Sequence, residues 1–225
     1  MAGGFARLNT SVRFGAGDED ICFVRLAGLS EEASFEKLLT PPERSHAATI
    51  GSPLQRARFV VSRGLRREMF SSCSGIPAAD LQFTADGEGK PRVSNAADWD
   101  FNLSHAGDYV AVVVGRGRVG IDLEQHREVR EMSSIVERYF HSDEASAWRQ
   151  AEESQRAEAF FLFWSAREAA MKCAGLGLAK GLSLTRVAPE FLVRRESEAT
   201  VGDMPLRIKE LDAPAGYTLV VCRGA

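Results

Sequence analysis

Val119-Gly120-Ile121-Asp122-Leu123-Glu124 is the stretch that does most to decide the fold of this chain. It ends an apolar run, and its alternation of residue types predicts a β-strand. Because successive side chains of a strand point to opposite faces, Asp122 and Glu124 project from the same face. Taken alone, two carboxylates at the end of a strand more often belong to a solvated strand end, so their role depends on the rest of the chain.

A second stretch, Trp164-Ser165-Ala166-Arg167-Glu168-Ala169-Ala170-Met171-Lys172, has the character of a helix. Glu168 and Lys172 are one helical turn apart and share a face, which is also the spacing of a common surface salt bridge. The helix carries large apolar residues (160–164) that predict burial, however, and a buried charged pair needs a function. Together with the strand, it supplies three carboxylates and an ammonium, the groups that hold a hard cation against a phosphate.

These two stretches resemble the 4′-phosphopantetheinyl transferase superfamily. The resemblance is to its two-lobed type, which modifies carrier proteins of fatty-acid, polyketide and nonribosomal-peptide synthesis. The family has a G-x-D-x-E strand motif and a W-[ST]-x-K-E-[AS]-x-x-K helix motif, which residues 120–124 and 164–172 match. Arg167 stands where the family usually has lysine, which keeps the charge but changes the donor geometry.

Further segments match the family in the same order. Gly89-Lys90-Pro91 resembles its G-K-P loop, and Phe101-Asn102-Leu103-Ser104-His105 resembles its F-N-x-S-H segment. Arg58 corresponds, less sharply, to a basic residue that the family carries on a helix. The resemblance therefore extends over most of the chain.

The resemblance implies an α+β fold of two similar lobes related by a pseudo-twofold axis. Each lobe would be a small, mostly antiparallel sheet packed on a long helix, with the active site in the cleft between the lobes. We expect the N-terminal lobe to span residues 1–115 and the C-terminal lobe residues 116–225. The sequence itself gives a weaker hint of the same kind, since an order of strand, long helix and antiparallel strands occurs twice.

Local patterns predict the individual elements. Helices are predicted over residues 30–39, 54–71, 142–153 and 155–173, where apolar residues recur at helical spacing. Strands are predicted over 21–26, 101–104, 109–114, 118–124, 182–187, 191–194, 206–210 and 217–222. Gly115-Arg116-Gly117 is predicted to form the hairpin before the G-x-D-x-E strand.

Composition narrows the functional class. A formal net charge of −3 gives no reason to expect nucleic acid as a partner. The four cysteines are far apart in the sequence, which fits reduced thiols in a cytosolic setting rather than a zinc site. The longest apolar run, 109–114, is too short to span a bilayer, and the first 17 residues do not resemble a signal peptide. We expect a cytoplasmic monomer with no membrane partner.

The resemblance also implies the chemistry and its residues. The chain would transfer the 4′-phosphopantetheine group of coenzyme A to a serine of an apo acyl or peptidyl carrier protein and release 3′,5′-ADP. Asp122, Glu124 and Glu168 would bind Mg²⁺, or Mn²⁺ in its place. Glu168 or Glu124 would accept the serine proton, and Lys172 would neutralise the departing phosphate. The coenzyme would contact the residues Arg58, Arg44, Lys90, Pro91, Ser104 and His105.

Several alternatives stay open at this point. The chain could be a Mg²⁺-dependent nucleotide pyrophosphohydrolase that uses water, or a module that binds coenzyme A or a carrier protein without turnover. Glu144 could belong to the site or simply be a carboxylate at a helix N-terminus. The segment 125–140 could dock the carrier protein, or its Ile135 and Val136 could belong to the core. The arginines between residues 56 and 67 are expected mostly on a solvated helix face.

Overall fold

The computed structural model describes residues 9–14, 21–85 and 91–225. Their contacts divide the chain into two compact units, residues 1–117 and 118–225. This division falls two residues after the lobe boundary expected from the sequence. No helix in the described part of the chain is long and apolar enough to cross a membrane.

The N-terminal unit contains a four-stranded antiparallel sheet. Its strands are β1 (Asn9–Arg13), β2 (Ile21–Gly28), β5 (Trp99–Ala106) and β6 (Tyr109–Arg116), in the order β1-β2-β6-β5. Two further strands, β3 (Phe83–Ala85) and β4 (Pro91–Val93), form a separate antiparallel hairpin. The central strand β6 is an almost unbroken run of buried valines, as expected for a strand covered on both faces.

The longest helix of this unit is α3 (Pro53–Ser74), which packs on the sheet. It begins where the Ser52 hydroxyl accepts a hydrogen bond from the Gln55 amide, and it ends at Gly75, whose φ of 75° is the usual helix stop. A 3₁₀ turn (Leu29–Glu31) leads into α1 (Glu32–Glu36), and α2 (Pro41–Thr49) follows. Helix α1 lies close to α3 because Gly64 has no side chain, since a Cβ there would be 2.5 Å from the Phe35 Cβ.

The C-terminal unit contains a five-stranded antiparallel sheet, which packs against the second long helix of the chain. Its strands are β7 (Val119–Gln125), β8 (Thr185–Val187), β9 (Glu196–Val201), β10 (Met204–Leu211) and β11 (Tyr217–Gly224), in the order β7-β11-β10-β9-β8. Helix α6 (Arg156–Ala174) packs across the sheet, and its aromatic run lies in the core, as its apolar character predicts. The α+β class predicted from the sequence is confirmed.

Short helices complete the C-terminal unit. They are α4 (Met132–Tyr139), α5 (Ser142–Gln150), a 3₁₀ turn (Glu153–Gln155), α7 (Leu178–Gly181) and α8 (Phe191–Arg194). Val136 is fully buried, and Met132 and Ile135 pack against the core. Ile135 and Val136 therefore belong to the core, and only the exposed side chains of the segment 125–140 are available for a docking surface.

Some predicted elements were wrong. Gly115-Arg116-Gly117 does not close a hairpin, because the strands before and after it, β6 and β7, belong to different sheets. Phe191–Arg194 forms helix α8 rather than a strand, because so short an apolar run fits both periodicities. Strand β9 was missed because its sequence, Glu-Ser-Glu-Ala-Thr-Val, is mostly polar, and only its pairing with β10 and β8 makes it a strand. Of the strand predicted over 182–187, only the last three residues form a strand, which is β8. In place of the helix predicted over 30–39, the structure has the 3₁₀ turn followed by α1.

Candidate active site

One face of β7 lies directly against α6, and this close approach depends on Gly120. A Cβ added at Gly120 would lie 2.1 Å from the Ala169 carbonyl oxygen and 2.6 Å from the Cys173 amide nitrogen. Only glycine leaves room for the helix at this position. Asp122 and Glu124 follow on the same face of the strand, and so both carboxylates are directed at the helix.

Helix α6 adds the third carboxylate. One ligand oxygen each from Asp122, Glu124 and Glu168 can be chosen so that all lie within 4.8 Å of one another. Asp122 is buried, whereas Glu124 and Glu168 are partly accessible. The structure thus brings together all three residues that the sequence predicts as metal ligands.

Lys172 lies at the same cluster. Its Nζ donates to Asp122 Oδ1 at 2.6 Å and lies 3.7 Å from Glu168 Oε2. The Glu168–Lys172 pair is therefore more than a surface salt bridge along the helix, because Lys172 also joins the helix to Asp122 of the strand. One ammonium faces three carboxylates, which leaves an excess of negative charge.

This excess of negative charge contributes to the raised pKa values of two glutamates in the cluster. Burial, together with the neighbouring Asp122 and Glu168 carboxylates, raises the pKa of Glu124 to about 7. Burial and the Asp122 carboxylate also raise the pKa of Glu168, against the opposing effects of Lys172 and of a hydrogen bond from the Trp164 side chain. A divalent cation would relieve this repulsion, and hard carboxylate oxygens are the ligands that Mg²⁺ prefers. The residues present therefore fit a magnesium ion.

Trp164 supports the cluster from within α6. Its indole stacks on the Phe160 ring, with the ring centroids 6.0 Å apart, and lies close enough to Glu168 to help lower the pKa of that carboxyl.

The N-terminal unit contains a separate cavity of about 1120 Å³. It lies beside α2 and α3 and the ends of β3, β4 and β5. Its lining includes Glu43, Arg58, Arg63, Phe83 and His105. The lining combines arginines of α3 with the apolar side chains of Phe83 and Leu103.

The structure brings only some of the predicted coenzyme-binding residues to this cavity. Arg58, Pro91 and His105 line it, and Arg58 Nη2 donates to the Gly107 carbonyl oxygen at 3.1 Å. Ser104 is buried on the other face of β5, because neighbouring strand residues point in opposite directions.

The remaining two residues lie elsewhere. Arg44 is exposed on α2, and its guanidinium donates to the Leu39 carbonyl oxygen instead of lining the cavity. Lys90 falls outside the described residues, so its predicted phosphate contact has no structural counterpart here.

The expectation that the α3 arginines form a solvated face was wrong for two of them. Arg66 and Arg67 are 3% and 4% exposed, and both pair with Glu43 of α2. Their guanidinium carbons lie 3.9 and 4.9 Å from the Phe83 ring centroid. Burial and the adjacent Arg63 lower the pKa of Arg66 to about 9, although Glu43 opposes this. The partner glutamate comes from another helix, so helical periodicity alone did not reveal the pair.

Glu144 is a helix-cap residue in this structure, in line with the second of its two predicted alternatives. It lies in the first turn of α5, where its carboxylate accepts a hydrogen bond from the His141 amide at 3.0 Å. It is fully buried and pairs with Arg167 Nη1 at 2.7 Å. Arg167, the departure from the family motif, therefore points away from Asp122, Glu124 and Glu168 toward a different carboxylate.

Comparisons with known proteins agree with this structure. A model of the 4′-phosphopantetheinyl transferase superfamily matches residues 118–221, and a model of the N-terminal region of these transferases matches residues 34–116. The 4′-phosphopantetheinyl transferase psf-1 of Bacillus pumilus is 30% identical over 84% of this chain and 78% of its own length. The transferase Sfp of Bacillus subtilis is 26% identical over 85% of each chain, and HetI of Nostoc sp. is 30% identical over 63% of this chain and 62% of its own.

These matches cover both compact units and include a relative aligned over most of its length. The chain belongs to the 4′-phosphopantetheinyl transferase superfamily, as its motifs predicted. The predicted enzyme class, a transferase that attaches phosphopantetheine to carrier proteins, is confirmed with it.

Proposed function

We propose that this chain transfers the 4′-phosphopantetheine group of coenzyme A to a serine of an apo acyl or peptidyl carrier protein in a Mg²⁺-dependent reaction. The observation that carries the proposal is the cluster of Asp122, Glu124 and Glu168 with the ammonium of Lys172 beside it. A module that only binds coenzyme A would have no use for such a group of carboxylates.

The reaction cleaves the pyrophosphate linkage of coenzyme A and forms a phosphodiester to the carrier serine. The carrier serine Oγ attacks the phosphorus that bears the pantetheine arm, and the bond from this phosphorus to the bridging oxygen breaks. The electron pair leaves with 3′,5′-ADP, and the serine proton passes to a carboxylate. The nucleophile comes from the partner, so this chain has to supply position, charge and a base.

The C-terminal unit would supply the charge and the base. Bound Mg²⁺ would neutralise charge that develops on the phosphate oxygens. Glu124 or Glu168, both of which have raised pKa values, would accept the serine proton. Lys172 would neutralise or protonate the departing phosphate, since its ammonium already lies among the carboxylates.

The N-terminal unit would bind the adenosine bisphosphate end of the coenzyme. Its cavity is large enough for a nucleotide and has Arg58, Arg63 and His105 in its wall. Guanidinium groups suit phosphate because their fixed donors match two phosphate oxygens at once. We assign the 3′-phosphate to Arg58 and place Lys90 and Pro91 at the same end of the substrate.

The proposed cellular location rests on the state of the cysteines. Cys22, Cys73, Cys173 and Cys222 are all free, which supports a cytoplasmic location. We expect a monomer, with Mn²⁺ able to replace Mg²⁺ at the carboxylates.

The test is to incubate the purified protein with coenzyme A, Mg²⁺ and an apo carrier protein, and then to weigh the carrier by mass spectrometry. The proposal expects the carrier to gain one phosphopantetheine and 3′,5′-ADP to accumulate in equal amount. Hydrolysis of coenzyme A without a change in the carrier would instead identify a pyrophosphohydrolase. Binding of coenzyme A without either product would identify a non-catalytic module.

Asp122→Asn tests the metal site in the same assay. This variant keeps the volume of the side chain but removes a charged ligand, so the rate should fall at least about a hundredfold. Asp143→Asn, which changes an exposed carboxylate of α5, is the matched control and should keep the rate. Ordinary Mg²⁺-dependent turnover by Asp122→Asn would remove Asp122 from the site.

A further inference from the structure

The buried pair of Arg167 and Glu144 ties α6 to three other segments of the C-terminal unit. Arg167 Nη1 donates to Glu144 Oε2 at 2.7 Å and to the Thr185 carbonyl oxygen at 2.9 Å, and its Nη2 donates to the Leu182 carbonyl oxygen. Glu144 Oε1 accepts a hydrogen bond from the Val187 amide at 2.6 Å. The pair therefore joins α6 to the start of α5, to the segment after α7 and to β8.

Such a pair is costly to bury. The Arg167 and Glu144 side chains are 1% and 0% exposed, so both charges have lost their hydration and depend on each other for compensation. Buried ion pairs can often be replaced by apolar residues of similar size without loss of stability. The stability of the fold alone is therefore a weak reason for this pair.

The position of the pair suggests a different role. Arg167 directly precedes Glu168 on α6, and β8 and β7 form opposite edges of the five-stranded sheet. The helix is thus held at two places: at β7 by its close contact with Gly120, and at β8 by Arg167. Since one residue corresponds to about 100° around a helix, two such fixed points set the rotation of α6 and so the direction of Glu168.

We propose that Arg167 and Glu144 are positioning residues, which fix the rotation of α6 so that the Glu168 carboxylate stays beside Asp122 and Glu124. This inference rests on the metal role that the proposed function gives to Glu168. It gives the basic residue at this position of the motif a purpose, since either arginine or lysine there can pair with a buried carboxylate.

The experiment measures the dissociation constant for Mg²⁺ by calorimetry, together with the melting temperature. Glu144→Gln combined with Arg167→Met removes both charges, so neither partner is left buried and unpaired. The melting temperature should stay within a few degrees, whereas the dissociation constant should rise about tenfold or more, as is usual when outer residues that orient a metal ligand are removed. Arg167→Lys keeps the charge and should bind Mg²⁺ within about threefold of the unmodified protein.

Steady-state kinetics add a second readout. The kcat of the double variant should fall, while its KM for coenzyme A should hardly change, since the proposed coenzyme cavity belongs to the other unit. Arg195→Met is the matched control, because Arg195 pairs at 2.8 Å with Glu158, which also belongs to α6 but lies ten residues before Glu168. It should leave the Mg²⁺ dissociation constant unchanged.

Several results would overturn the inference. The double variant could bind Mg²⁺ as tightly as the unmodified protein, or lose affinity only in proportion to its loss of folded protein. A second double variant combines Glu144→Gln with Arg167→Gln and keeps hydrogen-bonding groups at both positions. The inference requires this folded variant to show the same loss of Mg²⁺ affinity. An unmodified protein that binds no Mg²⁺ through Asp122 would instead overturn the proposed metal site, and the inference with it.

Discussion

At the scale of single residues, Glu124 is expected to make the proposed metal site sensitive to pH. Its pKa is raised to about 7 in the folded protein, from a value of 4.5 for the isolated group. Between these two values the folded chain holds more protons at Glu124 than the unfolded chain does. The free energy of unfolding contributed by this group therefore falls as the pH rises through that window.

Mg²⁺ binds the ionised carboxylate, so its stabilising effect should follow the opposite course. We expect the rise in melting temperature on adding saturating Mg²⁺ to increase between about pH 6 and about pH 8. Thermal unfolding with Mg²⁺ or with a chelator, at several pH values, measures this increase. In Glu124→Gln, the rise in melting temperature caused by Mg²⁺ should depend less on pH. If this rise were independent of pH in the unmodified protein, the assignment of Glu124 would be contradicted.

Arg58 offers a test of coenzyme recognition at the same scale. Arg58→Ala should raise the KM for coenzyme A and hardly affect that for 3′-dephospho-coenzyme A. A lost charge-assisted phosphate contact costs roughly 1.5–3 kcal/mol, which is about a tenfold to hundredfold change in KM.

The matched control for Arg58 is Arg56→Ala on the same helix. Arg56 pairs with Glu32 and Glu36 and does not belong to the cavity lining among the described residues, so its variant should treat both substrates normally. An equal loss for both substrates in Arg58→Ala would move the 3′-phosphate to another basic residue, with Arg63 and His105 the first candidates from the cavity wall.

At the scale of elements, the site depends on the close approach of β7 and α6. Gly120→Ala would place a Cβ 2.1 Å from the Ala169 carbonyl oxygen, and neither backbone can yield locally. We expect α6 to be displaced from the strand, with a loss of about 1–3 kcal/mol in the free energy of unfolding and a larger relative loss of activity. Urea unfolding and the transfer assay measure the two effects.

Gly177→Ala is the control for this prediction. A Cβ at Gly177 would meet nothing within 4 Å, and the residue has a negative φ of −74°, so both stability and activity should be close to normal. If Gly120→Ala were as stable and as active as Gly177→Ala, the spacing of β7 and α6 would not be what positions the carboxylates.

At the scale of the whole molecule, carrier docking needs a surface that attracts an acidic partner, although the net charge of the chain is −3. The segment 125–140 has three exposed arginines, Arg127, Arg130 and Arg138, beside three exposed glutamates, Glu128, Glu131 and Glu137, so the individual arginines rather than the net charge of the segment would attract the carrier. Carrier domains commonly present an acidic helix beside the modified serine, so we expect this segment to contact the carrier.

Arg130→Glu combined with Arg138→Glu should therefore raise the KM for the carrier protein and leave calorimetric coenzyme A binding unchanged. Arg149→Glu, an exposed change on α5, is the control and should leave both quantities unchanged. Changes at Met132 do not test docking, because its side chain packs against the core. Unaltered kinetics at limiting carrier in the double variant would place the docking surface elsewhere.

The sequence by itself determined the elements that carry the cluster of carboxylates. The alternation of residues 119–124 and the one-turn spacing of Glu168 and Lys172 are local properties of a strand and a helix, so they can be derived without tertiary contacts. The family motifs then supplied the pairing of the two elements, which periodicity alone does not give.

Only the tertiary structure decided which charges meet across elements. Glu43 with Arg66 and Arg67, and Glu144 with Arg167, come from segments far apart in the chain, and nothing in the local pattern of either partner specifies the other. The same holds for β9, a polar segment that becomes a strand through its neighbours β8 and β10. Local periodicity depends on backbone geometry over a few residues, whereas a buried ion pair or a strand pairing depends on where the rest of the chain folds.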